Sequence, residues 1–168
     1  MKICVYGLWH LGTVTAACLA NRGFEVVGLD PNTKTIDGLN CGKAPLYEPG
    51  LDEHLGSGLE AGRLTFTTDI KSAVGHTDIV WVTFDTPIGE DEKADIDFVF
   101  ARIIDTFSYL RDGTVIIISS QLPVGSIRKV EREFKECKFD RRVSFSCIPE
   151  NLRLGQAIAS FFNPDRIV

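Results

Sequence analysis

Short apolar runs alternate with longer stretches of helical period from one end of the chain to the other. The runs predict strands over Lys2–Tyr6, Glu25–Leu29, Leu64–Thr67, Asp78–Thr83, Thr114–Ile118 and Arg142–Cys147. Val115-Ile116-Ile117-Ile118 is continuous and β-branched, the pattern of a strand buried on both faces. Between the runs, Leu11, Val14 and Cys18 fall on one helical face, Ala16, Ala17 and Ala20 permit close packing, and Gly23 is placed to stop the helix. A wide stripe of Ile96, Val99, Phe100, Ile103, Phe107 and Leu110 predicts a helix over Asp95 to Leu110. Ser126 is expected to cap a third helix with Ile127, Val130 and Phe134 on its inner side. The stretch from Asn40 to Gly50, with Pro45 and Pro49, reads as an ordered excursion before a short helix near Leu51. Strands alternating with helices predict an α/β class fold: one domain over residues 1–168, a doubly wound parallel sheet of about six strands in the order 3-2-1-4-5-6. The last residues read as the start of a further strand.

Composition narrows the partners. At 168 residues, with 44% hydrophobic and 24% charged side chains, the chain fits one soluble core. A formal charge of −5 provides no field for a polyanionic backbone, so no nucleic-acid partner is expected. The amino terminus reaches Gly7 too soon for a signal peptide or a membrane span, which gives a cytoplasmic expectation and no membrane partner. Five scattered cysteines without a CxxC pair and three dispersed histidines argue against a disulfide framework and a metal site. Buried reduced thiols are the expected state.

The first strand runs into Gly7-Leu8-Trp9-His10-Leu11-Gly12 and then a helix, and the second ends in Gly28-Leu29-Asp30. A dinucleotide site needs this arrangement: a tight turn, helix N–H groups aimed at a diphosphate, and a carboxylate about twenty residues on for the adenosine ribose. Trp9 stands at the position that normally lacks a side chain, so its indole must swing aside or cover the cofactor. Asp30 favours NAD over NADP, because a 2′-phosphate would face a carboxylate. Lys34 is placed either to approach the adenosine end or to stand solvated at a helix start.

Beyond the turn, a series of segments resembles the UDP-glucose/GDP-mannose dehydrogenase family of nucleotide-sugar 6-dehydrogenases. It comprises Gly12-Thr13-Val14-Thr15-Ala16-Ala17-Cys18-Leu19-Ala20, Pro45-Leu46-Tyr47-Glu48-Pro49-Gly50-Leu51, Gly62-Arg63-Leu64-Thr65-Phe66-Thr67-Thr68-Asp69, Asp85-Thr86-Pro87, Ala94-Asp95-Ile96, Leu122-Pro123-Val124-Gly125 and Asn163-Pro164-Asp165-Arg166-Ile167-Val168. Together they cover essentially the whole chain.

The resemblance implies a Rossmann-type NAD-binding domain. Its cofactor residues would be Gly7, Leu8, Trp9, His10, Leu11, Gly12, Asp30, Lys34, Phe84, Asp85, Thr86, Ser119 and Ser120. It further implies that Glu150 takes part in proton transfer and water activation, and that Glu150, Asn151, Leu152 and Arg153 line the sugar-nucleotide site. Gln121 stands where the family carries a threonine that helps hold the catalytic water; an amide can hydrogen-bond that water but has no hydroxyl proton to relay. Leu154 replaces a second acidic residue, Asn151 a phenylalanine, Ile148 an asparagine and Thr35 a basic residue. The family oxidises the C6 alcohol of a UDP-sugar or GDP-mannose with two NAD, through a cysteine in a carboxy-terminal domain, and assembles through a long central helix. The expectation is therefore a fragment, inactive alone, that lacks those parts of a homodimer or higher assembly acting on a UDP-sugar, UDP-glucose first. Two other readings stand beside it: a non-catalytic nucleotide-binding or assembly module, and a different dehydrogenase such as the 3-hydroxyacyl or 6-phosphogluconate type.

Overall fold

A computed structural model of the chain describes residues 1–87, 94–149 and 152–164. Its strands are β1 (Lys2–Tyr6), β2 (Glu25–Leu29), β3 (Leu64–Thr67), β4 (Ile79–Val82), β5 (Val115–Ile118) and β6 (Ser144–Cys147). All neighbours pair in parallel, in the order β3-β2-β1-β4-β5-β6, as the alternation of apolar runs predicts. The helices are α1 (His10–Asn21), α2 (Thr33–Asn40), α3 (Leu51–Glu60), α4 (Ile70–Val74), α5 (Ile96–Thr106), α6 (Ser126–Glu136) and α7 (Ala157–Phe162), with a 3-10 turn over Phe107–Tyr109 after α5.

Successive side chains of a strand face opposite sides of the sheet, so each inner strand feeds two cores. Cys4 and Tyr6 of β1, Val80 and Val82 of β4, and Ile116 and Ile118 of β5 join α4, α5 and α6 in one cluster. Ile3 and Val5 of β1, with Ile79 and Trp81 of β4, join α1, α2, α3 and α7 in the other. Helices on both faces follow from right-handed crossovers whose direction reverses between β1 and β4. That reversal opens a crevice at the carboxyl ends of these two central strands, where no helix crosses.

Helix α1 is buried along its whole middle, from Gly12 to Ala20, which its run of alanines and short side chains permits. It stops where expected: the N–H of Gly23 donates to the Ala20 carbonyl and that of Phe24 to the Leu19 carbonyl, the paired bonds that close a helix end. Asp95 caps α5 through the N–H of Phe98. One expected cap is corrected: Ser126 is the buried first residue of α6, and Gly125, in the left-handed region at φ 93°, occupies the cap position without a side-chain hydrogen bond. The cysteine expectation is corrected in part as well. All five thiols are free, but only Cys4 and Cys18 are buried, whereas Cys41, Cys137 and Cys147 are exposed at helix ends and on the edge strand β6. The further strand expected near the carboxyl end falls on residues 165–168, outside those described.

Candidate functional site

The turn after β1 is held by side-chain hydroxyls on its carbonyls and by the Leu29 carbonyl and the Asp30 carboxylate on the N–H groups of Gly7 and Leu8. Thr83, fully buried at the end of β4, donates its hydroxyl to the carbonyls of Gly7 at 2.8 Å and Tyr6 at 3.1 Å. The Thr13 hydroxyl takes the Leu8 carbonyl at 3.1 Å. Gly7 sits at φ 101°, and a Cβ there would fall 2.8 Å from Phe84. A Cβ on Gly12 would drive into the Gly7 carbonyl, so these two glycines let the strand end and the helix start touch. The first turn of a helix has N–H groups with no intrahelical partner. In α1 no side chain caps them and no acidic residue stands in the first turn, which leaves the positive end of the helix open to an anion.

Asp30 stands directly after β2, beside the glycine turn. Its Oδ2 accepts the N–H of Leu8 at 2.7 Å and its Oδ1 that of Asn32 at 2.8 Å, so the carboxylate is fixed against the glycine turn with lone pairs still available. Trp9 precedes α1 with 48% of its surface exposed, so the indole is not packed into the core. Lys34 is exposed in the first turn of α2, its N–H capped by the Asn32 side chain, and its ammonium has no assigned partner among the described residues.

On the other side of α1 a cavity of about 200 Å³ opens at the carboxyl ends of β4 and β5, lined by Leu11, Phe84, Asp85, Thr86, Ser119, Ser120 and Gln121. Thr86 donates its hydroxyl to the Gln121 carbonyl at 2.7 Å, which ties the two strand ends together. Ser119 accepts the Trp81 indole N–H at 2.9 Å. The Ser120 hydroxyl is buried and without a partner among the described residues. An unpaired buried hydroxyl costs free energy unless something meets it, so its place in this lining points to a polar ligand group. Loss of surrounding water pushes the Asp85 carboxyl above its usual range, a shift that nearby His10 partly offsets. A larger recess of about 510 Å³ lies between α6 and the amino end of β6, so it opens at the opposite end of the strands from this lining.

Chemistry-bearing groups thus line both sides of one helix terminus at the reversal of the sheet. The family model for the NAD binding domain of the UDP-glucose/GDP-mannose dehydrogenases matches residues 1–168. The chain belongs to that family. It is 38% identical over its whole length to UDP-glucose 6-dehydrogenase of Rhizobium meliloti and covers 39% of that protein. It is 35% identical to GDP-mannose 6-dehydrogenase of Azotobacter vinelandii, of which it covers 40%. Among solved structures it superposes on the ternary complex of GDP-mannose dehydrogenase from Pseudomonas aeruginosa with a TM-score of 0.93 at 30% identity, covering 99% of this chain and 40% of that one. The chain therefore spans about two fifths of the length of each of these three relatives. It is the NAD-binding part of this dehydrogenase architecture.

The groups present fit that cofactor: an open helix terminus for the diphosphate, the Asp30 carboxylate for a ribose diol, and the unpaired Ser120 hydroxyl at the far end. Of the residues singled out in the sequence, Leu8 and Asp30 meet at the glycine turn, Trp9, His10 and Gly12 stand at the start of α1, and Leu11, Phe84, Asp85, Thr86, Ser119, Ser120 and Gln121 line one cavity. Leu152 is half-buried and packs with the α1 face of the core, and Arg153 is exposed. Glu150 and Asn151 lie outside the described residues. Among the described residues no group of three or more His, Cys, Asp or Glu side chains could hold a metal ion, and no helix is long and apolar enough to cross a membrane.

Sequence reasoning missed Thr83, whose hydroxyl orients the glycine turn, and the full part of Glu48, noted only within the Tyr47-Glu48-Pro49-Gly50-Leu51 segment. Glu48 is buried. Its Oε2 meets His10 Nε2 at 2.9 Å and the N–H of Gly155 at 2.7 Å, and its Oε1 accepts the N–H of Ala157 at 2.9 Å. Burial alone would raise its pKa, but these hydrogen bonds outweigh burial and hold the carboxyl below its usual range. A depressed folded-state pKa contributes stability that is fully present above the unfolded value, about 4.3, and is lost as the pH falls through the lower folded value. Glu48→Gln is therefore expected to lose about 1.5–3 kcal/mol at neutral pH, the range for hydrogen bonds to a charged group. Urea unfolding at a series of pH values should show the gap from the unsubstituted chain narrowing below about pH 4. A gap that stays constant into acid would show that the carboxylate charge is not what holds the junction.

Proposed function

We propose that this chain is the NAD-binding part of a nucleotide-sugar 6-dehydrogenase that oxidises the C6 alcohol of a UDP-sugar, UDP-glucose foremost, to the carboxylate with two NAD. One observation carries the reading: the open terminus of α1 stands between the Asp30 carboxylate, which accepts the Leu8 N–H, and the cavity lining that holds the buried Ser120 hydroxyl, unpartnered among the described residues. NAD, when bound, supplies the hydride acceptor. The chain's own residues hold and orient it.

The first-turn N–H groups of α1 from Trp9 to Gly12 take the diphosphate. Asp30 accepts the hydroxyls of the adenosine ribose and repels a 2′-phosphate. Thr86, whose proton is committed to the Gln121 carbonyl, presents oxygen lone pairs to the nicotinamide side, and Ser120 has its hydroxyl proton free to donate there. Glu150 serves in proton transfer and water activation, Gln121 holds that water through its amide, and Asn151, Leu152 and Arg153 follow along the sugar nucleotide. The nucleophilic cysteine, the central helix and the surface of a homodimer or higher assembly belong to the remaining length of such an enzyme, which acts in the cytoplasm. Support for the UDP-sugar comes from the 38% identity to the UDP-glucose 6-dehydrogenase of Rhizobium meliloti.

Calorimetric titration of the chain tests the reading. NAD is expected to give a saturable heat, NADP a binding constant at least about tenfold weaker, and NAD with UDP-glucose no NADH. Absence of heat with NAD leaves the non-catalytic module as the better reading. NADH formation by the chain alone would overturn the assignment of the chemistry to residues beyond it.

A further inference from the structure

Glu48 joins two parts of the molecule that the proposed function uses separately. Its backbone belongs to neither: it stands in the excursion between α2 and α3. From there the buried carboxylate reaches His10, the first residue of α1, and the N–H groups of Gly155 and Ala157, at the entry to α7. His10 carries one of the first-turn N–H groups assigned above to the diphosphate. Gly155 and Ala157 follow directly on the segment from Glu150 to Arg153 assigned to the sugar nucleotide. The partners lie 38, 107 and 109 residues from Glu48 in sequence, so no local turn accounts for the convergence.

The distribution of the bonds over the two oxygens matters. Among the described residues Ala157 alone holds Oε1, which fixes the rotation of the carboxylate. His10 and Gly155 share Oε2 and draw on the same oxygen charge. A change in the His10 contact therefore alters the acceptor strength offered to Gly155, with no intervening residue. An anion landing on the backbone of α1's first turn fixes His10, and the carboxylate passes that constraint to the start of α7. By linkage, ordering of the 152–157 segment favours the anion to the same degree.

We propose that Glu48 is a positioning residue that couples occupancy of the NAD crevice to the ordering of the 152–157 segment. The coupling rests on the NAD-binding reading given above. It makes the substrate side of the protein firmest once the cofactor is in place.

Amide hydrogen exchange of this chain, with and without saturating NAD, tests the proposal. Saturation is set for each variant from its own calorimetric titration. In the unsubstituted chain NAD is expected to slow exchange at Gly155 and Ala157 severalfold. Glu48→Gln is expected to lose that response. His10→Ala guards against a variant that fails to fold: it leaves both backbone bonds to Glu48 intact and cuts only the link to α1. Exchange at Ala157 without NAD should then match the unsubstituted chain, exchange at Gly155 should shift because its acceptor oxygen is no longer shared with His10, and the response to NAD should vanish at both. Heat of NAD binding without any change at Gly155 and Ala157, or a response that survives in His10→Ala, overturns the coupling and leaves the NAD reading standing. No heat in the unsubstituted chain overturns both.

Discussion

Replacing Asp30 with alanine is expected to weaken NAD binding by about tenfold to a hundredfold, because hydrogen bonds to a charged group contribute about 1.5–3 kcal/mol and each 1.4 kcal/mol is a factor of ten. The same substitution has a second effect, since the carboxylate also accepts the N–H groups of Leu8 and Asn32. Leaving the Leu8 N–H unpaired within the turn costs about 1–3 kcal/mol of stability. The two effects separate with Asp30→Asn. Its amide oxygen still accepts the Leu8 N–H but its NH2 cannot accept that of Asn32, so thermal unfolding should fall less than in Asp30→Ala, while NAD affinity falls with the lost charge. NADP should move the other way: with the carboxylate gone, the gap between NAD and NADP narrows. Calorimetric titrations of both nucleotides against the two variants and the unsubstituted chain check all of this. Unchanged NAD affinity in both variants would show that the ribose lies elsewhere.

That prediction rests on a feature legible in the sequence. A strand, a glycine turn, a helix and a second strand ending in an acid fix one another's positions. The core was legible for the same reason: buried parallel strands are apolar on both faces, so Ile3, Cys4, Val5 and Tyr6 announce themselves without alternation. Helix α2 was anticipated only as a helix start at Lys34, and α4 and α7 not at all. They are eight, five and six residues long, too short for a helical stripe to stand out, and α2 and α4 are marked by Asn32 and Asp69, side chains as much at home in turns. The start of α6 was misassigned because a serine is a common cap, whereas the backbone uses the left-handed freedom of Gly125 one residue earlier. Glu48 illustrates the deepest limit. Its partners are set by the tertiary fold, and its glutamate chemistry reads as a solvated loop carboxylate until the excursion is seen folded over α1.

Gly12→Ala is expected to have the largest effect on stability. A methyl at that position would overlap the Gly7 carbonyl and lie 2.6 Å from the Thr83 hydroxyl. Neither obstacle can move freely. The Gly7 carbonyl is held by Thr83, and the Gly7 N–H by the Leu29 carbonyl at 2.9 Å, so the turn is braced from both neighbouring strands. Helix α1 would have to lift from β1, and its buried face packs Val14, Cys18 and the alanines against the sheet. Overpacking a tight core costs about 1–3 kcal/mol when neighbours can adjust, and backbone on both sides of the contact puts this site at or above the upper end. For a domain of this size the midpoint of thermal unfolding should fall by roughly 5–10 °C or more, at about 2–4 °C per kcal/mol. Gly23→Ala supplies the contrast, since no atom lies within 4 Å of a Cβ built there and its cost is confined to the backbone at φ 92°. If Gly12→Ala melts no lower than Gly23→Ala, the strand end and the helix start are not in contact, and the helix terminus would lose the rigid backing that lets it hold a diphosphate.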